Sequence, residues 1–214
     1  MTDSAHDHAH PKDNSLDRLL FFSDGVFAIA ITLLSIELHP PHDWDGTAAQ
    51  LLRQGWPGFA AYALSFLVIG IFWTSHRRMF TQIRRFTTGV FLLNLLLLGL
   101  IALMPFMTNL LYIDGPRGEA FLIYLGVVSA AGLVQGAMLA WAVFVNHAVD
   151  PAVHVSRRVT AILSAGLLPG LISAGSMLMF GVVGGGVELW LPAVCFAMAV
   201  VILLARGLAE KRYR

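Results

Sequence analysis

The chain is poor in charge and nearly devoid of cysteine. Only 13% of its 214 residues are charged against 57% hydrophobic, more apolar surface than a water-soluble core of this size buries. Most of it must therefore face lipid. A net charge of +1 lacks the basic footprint of a nucleic-acid binder, and the arginines stand in short pairs beside apolar runs. The single cysteine, Cys195, excludes an intramolecular disulfide and a cysteine metal site, leaving a small apolar residue in the last apolar segment. Neither a Ser–His–acid combination, nor HExxH, nor a phosphate-binding glycine motif is present, so no enzyme is expected. The opening MTDSAHDHAHPKDNS lacks the basic start, apolar centre and cleavage site of a secretory signal, which predicts that the first membrane helix is retained. The FSD-containing segment has no second copy in 119–207, which disfavours a transporter built from two related halves.

What the chain does have is long apolar runs. At about 1.5 Å per residue roughly 20 residues cross the hydrocarbon, and six segments qualify: 17–38, 56–76, 87–112, 119–146, 157–183 and 187–207. The fourth and fifth are long enough to tilt or protrude. Breaks fall at Pro40-Pro41, Gly115-Pro116, Pro151 and Gly184-Gly185-Gly186. The expected fold is an all-α membrane protein of six transmembrane helices, with a polar histidine-containing tail at 1–15 and a transmembrane domain at 16–214.

Orientation follows from lysine and arginine. Of fourteen basic residues, all but Arg53 and Arg117 fall on one side of the six spans, which places both termini in the cytoplasm. The opposite loops carry Glu37, Asp43, Asp45, Asp114, Glu119 and Glu188. Such an acidic outer mouth attracts cations, although ordinary solvated loop charges would look the same.

The first segment is the unusual one, because RLLFFSDGVFAIAITLLSIEL begins with an arginine, a serine and an aspartate at a depth where charge is costly. At about 100° per residue, Phe22, Gly25, Ile29, Thr32, Leu33 and Ile36 share one side of the helix, and Ser23 and Asp24 point elsewhere. Several copies around an axis would stack Ile29, Leu33 and Ile36 as apolar rings, with the Thr32 hydroxyl between them. A narrow apolar ring gates by dewetting. Packing of the same residues against neighbouring helices is the plainer reading of the pattern.

An ionised Asp24 needs partners. His76 ends the second segment on the cytoplasmic side, and Asn94 lies about two turns into the third from that side. Ser23, Asp24, His76 and Asn94 are expected to form one hydrogen-bonded cluster behind the stripe, with Arg18 reaching in from the interface. The alternative is that Asp24 and His76 relay protons, in a proton-coupled transporter or proton leak.

Arg18, Phe22, Ser23, Asp24 and Ala28 spell R-x-x-x-F-S-D-x-x-x-A, which resembles the signature of the transmembrane protein 175 family of potassium channels. The resemblance implies a homotetramer whose four first helices line a central pore, without the P-loop and TVGYG-type filter of ordinary potassium channels. It places the main constriction directly after the motif alanine, at Ile29, and further pore layers at Thr32, Leu33 and Ile36. It also implies that the motif's polar residues bond to His76 and Asn94. The function then expected is a potassium-favouring cation channel in the bacterial plasma membrane, needing no cofactor. Its partners would be lipids, monovalent cations and further copies of itself.

Other features carry less. His6, His8 and His10 alternate as a zinc or nickel site might, but a polar tail without functional metal is the simpler account. His39 and His42 read as solvated loop residues. Trp56 and Trp190 suit interfacial anchors, and Trp73 either shields the polar cluster or packs plainly. Pro105 and Pro169 are expected to kink their helices. Asn146, His147, Arg157 and Arg158 are expected to line the cytoplasmic surface, where lipid phosphate is a natural contact.

Overall fold

The computed structural model describes residues 14–41, 43–83, 85–114 and 119–145, and their regular elements are all helices. In order these are α1 (Asn14–Ile36), α2 (Ala48–Phe80), α3 (Thr88–Ala102), α4 (Met104–Asp114) and α5 (Glu119–Ala140), which runs into a π-helical turn at Trp141–Val145. Among the described residues four stretches are long and apolar enough to cross a membrane: Ser15–Ile36, Ala48–Phe80, Thr88–Leu111 and Glu119–Phe144. The expected segments at 157–183 and 187–207, the residues Asn146, His147, Arg157, Arg158, Pro169, Trp190 and Cys195, and the tail histidines lie outside the described residues.

α1 buries Leu19, Ser23, Phe27, Ala30 and Leu34, a spacing of three and four that keeps one face inward. It rests against α2, α3 and α4, while α5 covers α3 and α4 from the other side. The helix ends at Ile36, where the Leu38 amide closes on the Ser35 carbonyl at 3.3 Å and Pro40-Pro41 cannot continue the ladder.

α2 starts eight residues before the hydropathy edge at 56, and the reason is local. Thr47 has extended backbone angles and its hydroxyl accepts from the Gln50 amide at 3.3 Å, an N-cap with the T-x-x-Q spacing of a capping box. Asp45 Oδ1 in turn accepts from the Thr47 amide at 2.8 Å and the Thr47 hydroxyl at 2.7 Å, and Gly46 takes the left-handed turn at φ 85°. Pro57 sits inside the helix without ending it.

The bonds from Thr47 hold the Asp45 carboxyl below its ordinary 3.8, the side-chain bond contributing most. A depressed carboxylate lends stability that is present above the ordinary value and lost as the pH falls through the folded value. Acidification below 3.8 should therefore loosen the first turn of α2. Amide exchange at Gln50 and Leu51, corrected for its intrinsic pH dependence, should accelerate there in the native chain and show no such step in Asp45→Asn; equal profiles would refute the coupling.

The third hydropathy segment is a single span by length but breaks at Leu103 into α3 and α4. Pro105 has no amide to offer the Ile101 carbonyl, and the Leu103 amide turns back to Gly99 at 3.2 Å and to Ile101, so the expected kink falls at this proline. A second polar knot lies past it. Thr108 Oγ1 stands 2.7 Å from both the Met104 carbonyl and Ser65 Oγ, and Ser65 Oγ is 3.2 Å from the Tyr124 hydroxyl. α2, α4 and α5 are thus joined by hydroxyls inside the apolar packing.

Candidate functional site

The expected stripe on α1 is exposed. Ile29 is 60% exposed, Leu33 40% and Ile36 66%, and Phe22, Gly25 and Thr32 are exposed with them, while the opposite face is packed. The described helices of the same chain therefore do not cover this stripe. Thr32 Oγ1 donates to the Ile29 carbonyl at 2.9 Å, and Ser35 Oγ to the Thr32 carbonyl at 2.7 Å. With its one proton spent on its own helix, the Thr32 hydroxyl presents only lone pairs to the outside, the polarity a cation prefers.

The polar residues behind the stripe fall into two sets, not one. In the first, Ser23, His76 and Asn94 are fully buried and form a chain of fixed direction. Ser23 Oγ donates to the Leu19 carbonyl at 2.8 Å, so it accepts from Asn94 Nδ2 at 3.0 Å. That turns Asn94 Oδ1 toward His76 Nε2, 2.7 Å away, and assigns the ring proton to Nε2. Nδ1 is left without a partner among the described residues, and the ring lies between Phe27 at 5.4 Å and Phe80 at 4.4 Å. The chain fastens α1 to α3 and α3 to α2.

In the second set, Asp24 Oδ1 accepts from the Trp73 indole nitrogen at 2.7 Å. One residue beyond Ser23 is about 100° further round the helix, so the two side chains cannot both face Asn94, and Asp24 turns to α2. The Arg77 guanidinium lies 5.3 Å from the centre of the same indole, a cation–π contact that brings positive charge behind the ring bonded to Asp24. Trp73 and Arg77 were not singled out for this role from sequence. The readable signal was their i, i+4 spacing, with Trp73 about one turn before His76 and Arg77 directly after it.

Arg18 joins neither set. It is exposed and lines an open groove of about 650 Å³ along α1 together with Asp17, Phe21, Phe22, Gly25, Val26 and Ile29. The angle explains this: Arg18 precedes Phe22 by four residues and Gly25 by seven, which sets it on the stripe's side of the helix. The expectation that it reaches into the cluster is corrected accordingly. Among the described residues no group of three or more His, Cys, Asp or Glu is placed to hold a metal, and His39 is an exposed loop residue bonded to the Glu37 carbonyl at 2.8 Å.

Apolar helices long enough to cross the bilayer, fastened through buried polar side chains and leaving a bare stripe on the first, describe a polytopic integral membrane protein. The family model described as endosomal/lysosomal potassium channel TMEM175 matches residues 18–105. A Streptomyces collinus protein named potassium channel B446_29190 is 39% identical over 145 residues, 65% of this chain and 70% of its own. The Chamaesiphon minutus protein named potassium channel Cha6605_3372 is 32% identical over 204 residues, 91% of this chain and 96% of its own. The mouse endosomal/lysosomal proton channel TMEM175 is 28% identical over 160 residues, 72% of this chain but 31% of its own. A crystal structure of a lysosomal potassium-selective channel TMEM175 homologue from Chamaesiphon minutus superposes with a TM-score of 0.73 at 28% identity, covering 90% of this chain and 98% of that one. The chain belongs to the TMEM175 family.

Proposed function

We propose that the protein is a homotetrameric, six-span cation channel of the plasma membrane, with both termini in the cytoplasm, that favours potassium. Four copies of α1 line its pore. The observation that carries this reading is the exposure of Ile29, Leu33 and Ile36 on a helix whose opposite face is packed. One copy cannot enclose a pore, and a closed ring of four gives each bare stripe the same environment. Ile29 forms the main constriction and Leu33 and Ile36 form further apolar rings. Thr32 offers a ring of acceptor oxygens between them. No P-loop filter is needed, because an apolar ring imposes the dehydration cost and the threonine oxygens return part of it to a cation.

Ser23, Asp24, His76 and Asn94 act behind the pore wall. They hold α1 at a fixed rotation by hydrogen bonds that would cost several kcal/mol to leave unmade in an apolar bundle. The proton reading is supported by the name of the mouse relative, and here it becomes a question of what passes the same constriction. A direct Asp24–His76 relay is less favoured, since the side-chain hydrogen bonds pair Asp24 with Trp73 and His76 with Asn94 and not with each other.

Purified protein in liposomes should release potassium down its gradient, collapse under an imposed potential without saturating like a carrier, and have the detergent-corrected mass of four chains. Proton flux equal to potassium flux would move the assignment to a proton channel. Absence of any flux from an intact tetramer would overturn the channel reading.

A further inference from the structure

α1 is held at two levels, and the outer one is not part of the motif. Glu37 follows directly on Ile36, the outermost residue of the stripe. It stands in the turn just past the end of the helix and is half-buried. Asn109 Nδ2 donates to Glu37 Oε2 at 2.6 Å, a bond between half-buried groups. Leu34, Tyr62 and Thr108 close around it. A carboxylate at the negative end of a helix opposes the helix dipole, so this acid does not serve α1's own stability; the charge-assisted bond to α4 is what it gains.

The anchor on the far side is firm. Asn109 neighbours Thr108, whose hydroxyl is bonded within the buried Ser65–Tyr124 knot. Between Asp24 of the inner fastening and Glu37 of the outer one lie twelve residues, a rise of about 20 Å. Over that length, among the described residues, the hydroxyls of Thr32 and Ser35 bond only to α1 itself. Within the described residues the stripe is therefore suspended between two polar fastenings, with apolar packing in between.

We propose that Glu37 and Asn109 are positioning residues for the pore: their bond fixes the rotation of the outer half of α1 and so sets the aperture at Leu33 and Ile36. Neither residue touches the ion. This rests on the assignment of the stripe to the pore wall.

The test uses the full chain with Cys195→Ser and Ile36→Cys, reconstituted in planar bilayers and treated with a charged methanethiosulfonate reagent. Block of the current by the reagent establishes the stripe as pore wall. On that background Asn109→Leu and Glu37→Leu should each change the rate of modification and the open probability by about tenfold, the scale of a lost charge-assisted bond. Combining them should add nothing, since both remove one bond. Glu37→Gln keeps an acceptor for Asn109 and should stay within about twofold of the parent. The same pair of substitutions in an Ile29→Cys background should leave modification there unaltered, because the inner fastening is intact. An unchanged rate in Asn109→Leu tetramers of normal mass would overturn the proposal while leaving the pore standing. Equal effects of Glu37→Gln and Glu37→Leu would overturn it in favour of the charge alone. If the reagent does not touch the Ile36→Cys current, the pore reading fails and the positioning role fails with it.

Discussion

Ile29→Asn should raise unitary current about tenfold and bring potassium and sodium permeabilities close to equal. The rate factor corresponds to about 1.4 kcal/mol off the barrier. The expectation follows from what the proposed ring of four isoleucines would do to water. In the proposed tetramer an ion crossing that ring would lose part of its hydration and receive no oxygen in return, which would make the ring the highest point on the path. An asparagine at the same place supplies an amide oxygen in each subunit and keeps the ring wet. Both changes act on the same barrier, since the penalty that slows every ion is also the one that separates ions by their hydration. Leu33→Asn should act in the same direction with a smaller effect, because Leu33 is the less exposed of the two and the proposed main constriction is at Ile29. Single-channel recording with potassium on one side and sodium on the other measures both quantities. Wild-type conductance and selectivity in Ile29→Asn tetramers would return Ile29 to the plainer role of helix packing.

How much of this was legible depends on whether one helix or several were involved. The stripe on α1 was, because the angle between residues on a helix is fixed by backbone geometry and needs no knowledge of neighbours. The same arithmetic also separates Ser23 from Asp24 and sets Arg18 with the stripe; treating these five polar residues as one cluster overlooked it. Trp73 could be placed beside the cluster from the chain alone, as a shield or as plain packing, but only the packing of α1 on α2 shows that its N–H meets Asp24. Asn94 was found by depth, a one-dimensional quantity that hydropathy gives. The early start of α2 was missed because hydropathy reads apolar content, and the turn at Thr47 is written in capping residues instead. Glu37 was read as one of several acids at an outer mouth; its bond to Asn109 depends on where the Pro105 kink sends α4, which sequence does not specify.

The buried chain from His76 through Asn94 to Ser23 makes a prediction with an unusual sign. Asn94→Leu should lower the stability of the folded chain by about 2–4 kcal/mol, because it leaves His76 Nε2–H with no acceptor in an apolar interior and removes the donor to Ser23. Ser23 loses less than His76, since its own proton still goes to the Leu19 carbonyl. His76→Phe alone should also destabilise, by orphaning Asn94 Oδ1, although the new ring suits the space between Phe27 and Phe80. The pair His76→Phe with Asn94→Leu removes both ends of the central bond and should be more stable than Asn94→Leu alone, by about 1–2 kcal/mol. Thermal melting of the four proteins in one detergent, with size-exclusion chromatography to follow assembly, closes the cycle. Strict additivity would show that the two side chains do not depend on each other and would dissolve the fastening into ordinary packing. If the pair recovers stability while the channel still loses its normal gating, the chain's purpose is to specify the rotation of α1. An apolar replacement can then fill the volume, but it cannot dictate which way the helix faces.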